Sequence, residues 1–220
     1  MTNYERVKIW DVPVRLAHWS LVVLIAFSWW SGSEGGNMMT YHMWSGYCIL
    51  TLVLFRLVWG FIGSSPARFS TFVRGPRAVG RYLGTMRRRQ ASGHPGHNPV
   101  GGWSVVLMLA SIGVQAGTGL FANDDIMTEG PLYRWVSKAT SDLLTSIHHF
   151  NFNVLLVLVG LHVAAVPFYL FYKSENLVGA MFTGMKRVAG PMEELRMAGA
   201  TRAVAAFLAA AVAVYFLVRM

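Results

Sequence analysis

Five apolar stretches, each long enough to cross a bilayer, dominate this chain of 220 residues. They cover residues 14–31, 42–62, 102–121, 149–172 and 199–218. A helix needs about 20 apolar residues to span the hydrocarbon core. Backbone exposed to lipid must satisfy its own hydrogen bonds, so each stretch is expected to be helical. The composition agrees: 54% of residues are hydrophobic and 13% charged, roughly half the charge of a soluble domain. A soluble enzyme, a disordered chain and a nucleic-acid-binding module are disfavoured on that ground. The first stretch contains Trp19, Trp29 and Trp30, and no small-residue cleavage site follows it, so it reads as a retained helix rather than a signal peptide.

The basic residues set the expected orientation. Arg6, Lys8 and Arg15 precede or open the first span. Arg68, Arg74, Arg77, Arg81, Arg87, Arg88 and Arg89 lie in the second loop, and Lys173, Lys186, Arg187 and Arg196 in the fourth. The opposite side has only Arg134, Lys138 and Arg219, beside the acids Glu34, Asp124, Asp125, Glu129 and Asp142. Positive residues stay inside, which predicts a multi-pass protein of the bacterial inner membrane with its N-terminus in the cytoplasm. The arginine-rich loop 63–101 is expected to lie against anionic headgroups of the membrane lipid.

With one cysteine, Cys48, the chain can form no intrachain disulfide, no multi-cysteine zinc site and no Cys-x-x-Cys-His attachment of haem. Its chemical resource is histidine. An ionisable side chain within a span is a functional candidate by default. His18 lies near the inner end of the first span, His42 and His148 near the outer ends of the second and fourth, and His162 deeper in the fourth. His148 and His162 are 14 residues apart, within about 40° of one helix face and about 21 Å apart along the axis. His42 can therefore meet His148 at one depth and His18 can meet His162 at another. Two bis-histidine haems stacked across a bilayer require that arrangement, and a doubly ligated iron favours electron transfer over ligand binding. His149 competes with His148 but falls about 140° off the His162 face. The plain alternative for any one of these residues is a hydrogen-bonded packing histidine.

Arg56 stands 14 residues after His42 and so shares its face. It either pairs bidentately with a haem propionate or snorkels to the headgroups near Gly63. Gly46 would clear space beside His42; Gly113, Gly117 and Gly119 thin the third span or serve small-residue helix packing. Pro167 is expected to kink the fourth span below His162. Asn98 and Pro99 in the segment HNPVG suit a helix start.

The chain resembles the bacterial di-haem cytochrome b561 family, close to the cytochrome b subunit of membrane-bound nickel–iron hydrogenases. The matching segments are VKIWDVPVRLAHW (Val7 to Trp19), HMWSG (His42 to Gly46), Arg56 within FRLVWG, HNPVG (His97 to Gly101), and His148 through His162. The resemblance implies an all-α integral membrane fold: a four-helix haem-binding bundle, here with a fifth C-terminal transmembrane helix that the family bundle lacks. The expected division is residues 1–175 for the haem domain and 176–220 for a cytoplasmic connector and the fifth helix. It also implies two non-covalent haems b on His18, His42, His148 and His162, and exchange of electrons with the quinone pool. Arg15, Arg56 and His97 are candidates for the wall of a quinone site near the cytoplasmic surface.

The expected function is electron transfer across the membrane between a periplasmic redox partner (hydrogenase, dehydrogenase or cytochrome c) and quinone. That describes a subunit of an oxidoreductase complex in a respiratory chain more than a stand-alone enzyme. One alternative is a quinone-linked superoxide oxidase of the same fold, which would want cationic outer loops. Another is a haem-free transporter or metal carrier using the same histidines. The fifth helix, rich in alanine and without histidine, is expected either to meet a partner subunit or second copy, or to be a peripheral span.

Overall fold

The computed structural model describes residues 4–89, 94, 96–189 and 195–220. All five expected spans are helices: α1 (Val12–Glu34), α2 (Met38–Ile62), α5 (Pro99–Gly119), α6 (Lys138–Pro167) and α8 (Ala200–Leu217). Each is long and apolar enough to cross a membrane. Their outward faces stay apolar, with Phe61, Leu161 and Phe216 exposed at 72%, 65% and 65%. Acyl chains suit such faces and water does not. Among the described residues, α3 (Phe69–Phe72), α4 (Pro76–Thr85) and α7 (Leu177–Thr183) are short α-helices in the connections.

The fourth span starts about three turns before the apolar stretch does. Its first turns hold Lys138, Thr140, Ser141 and Asp142, which hydropathy does not register as helix. Ser137 starts the helix, accepting at Oγ from the Thr140 amide at 3.2 Å and at its carbonyl from the Ser141 amide at 2.9 Å. His148 thus sits well inside α6 rather than at its opening. At the other end, Pro167 is followed by a π-helical turn, Phe168–Tyr172. Proline donates no amide hydrogen bond, and a widened turn is one way a helix accommodates that loss.

The chain forms two compact units. The first comprises residues 1–16, 57–107 and 158–203. Here β1 (Tyr4–Lys8) pairs antiparallel with β2 (Met185–Ala189), from Tyr4 opposite Ala189 to Lys8 opposite Met185. Asp11 is buried and caps α1, its Oδ1 accepting from the Val14 amide at 2.8 Å while Oδ2 accepts from the fully buried Trp59 indole at 2.9 Å. That carboxylate joins the VKIWD segment to the FRLVWG segment. Gly184 holds φ +80°, and its carbonyl receives the amides of Ile9 and Trp10.

The second unit comprises residues 17–56, 108–157 and 204–220. Leu50 of α2, Leu120, Leu132 and Val214 of α8 form one buried cluster. On the part of α8 in this unit the buried positions Ala206, Ala210 and Val214 recur at helical spacing. The alanine stripe of the fifth helix is therefore spent on this chain itself, and Val204, Leu208, Val212 and Tyr215 form its exposed side.

Candidate functional site

Within the second unit, His42 of α2 and His148 of α6 face each other with ring centroids 6.1 Å apart and planes at 75°. Each ring is held through Nδ1. His42 Nδ1 donates to the main-chain carbonyl of Ser28 on α1 at 2.8 Å, with the Ser28 hydroxyl at 3.2 Å. His148 Nδ1 donates to the carbonyl of Gln115 on α5 at 2.9 Å, with the Thr118 hydroxyl at 3.3 Å. A carbonyl only accepts, so Nδ1 carries the proton and Nε2 keeps its lone pair. Each carbonyl also receives a hydroxyl from its own helix, Ser31 Oγ on Ser28 at 3.2 Å and Thr118 Oγ1 on Gln115 at 3.1 Å.

The two cradles share a design. A glycine stands four residues after each accepting carbonyl, Gly32 after Ser28 and Gly119 after Gln115. A Cβ on Gly32 would lie 2.8 Å from His42 Nδ1, and one on Gly119 would lie 3.1 Å from His148 Cε1. Residues four apart stack on one helix face, so a side chain there would cover the carbonyl. Each glycine leaves that face bare and admits the ring.

A buried amide backs the second cradle. Asn151, one turn after His148 and 8% exposed, donates from Nδ2 to the Ser111 carbonyl at 2.9 Å and to Gln115 Oε1 at 2.8 Å. Its Oδ1 accepts from the Ser111 hydroxyl at 3.1 Å. Asn151 thus fixes α6 against the stretch of α5 that holds His148. Sequence reasoning passed over it, although an asparagine three residues after a candidate ligand in an apolar span is itself a signal.

The two imidazoles line a cavity of about 690 Å³, within the range of cofactor sites. Its wall includes Gly46, Gly119, Phe152 and the exposed His149, whose ring lies 6.2 Å from that of His148. A Cβ on Gly46 would meet nothing within 4 Å, so this position opens into the space, as expected. Gly113 differs: its Cβ position is 4.0 Å from Val53 Cγ1, an ordinary helix contact.

The remaining candidates are spread over both units. His18, half-buried on α1 with its ring edge-on to Trp19 at 5.0 Å, belongs to the second unit. His162, exposed on α6, belongs to the first. Arg56 is buried on α2, at 7% exposure. Arg15 donates from its guanidinium to the carbonyls of Met181 (3.1 Å) and Phe182, at the end of α7. His97 sits between Trp10 and Phe72, with ring centroids 4.7 Å and 4.8 Å away. Asn98 accepts at Oδ1 from the Gly101 amide at 2.8 Å and so caps α5, with Pro99 as its first residue. Among the described residues no group of three or more His, Cys, Asp or Glu gathers as a metal cage.

Comparison with known proteins gives one result that bears on these residues. The family model for prokaryotic cytochrome b561 matches residues 9–184, which takes in both cradles and stops before α8. No curated protein and no solved structure matches the chain. With residues 9–184 matched, most of its length, the chain belongs to the prokaryotic cytochrome b561 family, the membrane b-type cytochromes of electron transfer.

Proposed function

We propose that this cytochrome carries two non-covalent haems b, one between His42 and His148 and one between His18 and His162. In this reading it passes electrons between a periplasmic redox partner and the quinone pool. The observation that carries it is the 6.1 Å separation of the His42 and His148 rings. Two imidazoles at this separation, each with its Nε2 lone pair kept, would be able to hold one haem iron between them. The residues fit the group in two further respects: Nε2 is the basic nitrogen on both rings, and the open space beside Gly46 admits a flat macrocycle.

Bound haem iron supplies the one-electron couple. The chain supplies the rest. Ser28 and Gln115 hold the imidazoles by their carbonyls, and hydrogen bonding at Nδ1 raises the basicity of the ligating nitrogen. The second pair, His18 with His162, rests on the 14-residue spacing along α6. Arg56, covered by protein, suits a propionate partner. A quinone site near the basic surface would have Arg15, Arg56 and His97 as wall residues, with Arg15 acting by fixing that wall to α7. The partner subunit or second copy suggested for the fifth helix would have to meet the exposed side of α8, since the alanine side is buried.

Family membership removes the haem-free transporter. The superoxide oxidase alternative gains nothing from the outer loop, where Lys138 is bound between Asp125 and Asp142 at 2.5 Å each. Acid-acetone extraction followed by a pyridine haemochrome assay tests the haem assignment. Two extractable haems b per chain are expected; one would mean that one histidine pair is wrong.

A further inference from the structure

The longest basic segment of the chain is built in a way that solvation alone does not explain. No acidic residue occurs between Glu34 and Asp124, and the seven cations of loop 63–101 are all arginine. Three of them, Arg87, Arg88 and Arg89, follow α4 directly, and all three are exposed. Their backbone is tied inward. Tyr172 donates its hydroxyl to the Arg87 carbonyl at 2.5 Å. Lys173, only 3% exposed, donates its ammonium to the carbonyls of Thr85 at 3.1 Å and Arg88 at 2.6 Å.

A buried ammonium is unfavourable unless its hydrogen bonds are filled, and here main-chain oxygens of the arginine segment fill two of them. With the carbonyls of 85, 87 and 88 turned toward the protein, the three arginine side chains stay exposed, the Arg89 guanidinium over the Tyr172 ring at 5.6 Å. Glu175, two residues after Lys173, is buried and paired with Lys186 at 2.8 Å. Arg74 repeats the pattern: its carbonyl accepts from the Trp103 indole at 2.9 Å, and its side chain is exposed.

The height of this platform is set by its tethers. Tyr172 is the last residue of the fourth membrane span and Lys173 follows it, while Phe171 beside them is 77% exposed. Tyrosine at a span end sits at the headgroup level. Guanidinium binds phosphate by two parallel hydrogen bonds, which lysine cannot do.

We propose that Arg87, Arg88 and Arg89, held by Lys173 and Tyr172, form a binding site for the phosphate headgroup of an anionic phospholipid. The site is independent of the haem ligands.

The test is native mass spectrometry of the detergent-solubilised, haem-loaded full chain titrated with phosphatidylglycerol or phosphatidylcholine. Phosphatidylglycerol should bind about a hundredfold more weakly to R87Q/R88Q/R89Q than to the parent, as about three lost headgroup cations imply. Phosphatidylcholine should bind both alike, and the haem spectrum should not change. Lys173→Met keeps the arginines but frees their backbone, and should also weaken phosphatidylglycerol binding. Unchanged phosphatidylglycerol binding in the triple variant overturns the proposal. So does unchanged binding in a folded Lys173→Met protein, which would make the tether irrelevant. Displacement of the lipid by millimolar inorganic phosphate would make the site one for free anions and would equally overturn it.

Discussion

His148 donates from Nδ1 to the carbonyl of Gln115 at 2.9 Å, through a gap in the side-chain cover of α5 that Gly119 provides. The same relationship joins His42, Ser28 and Gly32. A methyl group on either glycine should therefore act on the histidine and not on helix packing. Gly32→Ala must move His42, because the added carbon would stand 2.8 Å from the ring; Gly119→Ala, at 3.1 Å, asks for a smaller shift. Displacing a ring by an off-rotamer adjustment should weaken haem binding about two- to tenfold. Gly113→Ala, whose carbon would have 4.0 Å to its neighbour, should leave haem content unchanged. Haem-to-protein ratios of the three purified variants check the ranking.

Asn151→Ala would strip Gln115 Oε1 and the Ser111 hydroxyl of their buried partner. Losing such a bond costs about 1–3 kcal/mol, so the melting temperature should fall. Because Gln115 also holds His148, the midpoint potential of one haem should shift while the other stays. A fall in melting temperature with both potentials unmoved would reduce Asn151 to packing alone.

The stripe on α8 makes an opposite pair of predictions for its two sides. Ala206→Leu overfills a buried position and should destabilise by about 1–3 kcal/mol. Leu208→Ala, on the exposed side, should leave the melt of the isolated chain unchanged. Thermal unfolding in detergent distinguishes them, and the reverse result would mean that α8 packs by its other face.

Asp124 lies outside the spans, and its carboxylate is held well below the usual range by backbone amides of Thr128, Ile126 and Met127. A depressed folded pKa contributes stability that is present above the unfolded value, near 4, and lost as pH falls through the folded one. The loop should therefore resist acid until well below the range of an ordinary aspartate. Hydrogen exchange at the three amides, compared between the parent and Asp124→Ala at neutral pH and about pH 3, should show protection in the parent alone at both.

The spans were legible because hydropathy over 20 residues is a local property. The polar start of α6 was not, since Lys138 to Asp142 are helical without being apolar. The pairing of β1 with β2 joins residues some 180 positions apart with charges on both strands, and nothing local announces it. The His42–His148 meeting was legible from depth and spacing. The cradles that orient the rings were not, because their acceptors are main-chain carbonyls, which every residue has. Gly119 stands out in the sequence only as a small residue, and nothing local marks Gly32. The hydrogen bonds of Arg15 to the end of α7 were not legible either, because their acceptors are again main-chain carbonyls.

The central claim is that the histidines pair by depth, His42 with His148 and His18 with His162. Redox titration of the four single alanine variants measures it directly, with the parent showing two components. His42→Ala and His148→Ala should each leave the same single component, and His18→Ala and His162→Ala should each leave the other. If His18→Ala and His42→Ala leave the same component, or if the parent titrates as one haem, the account is wrong.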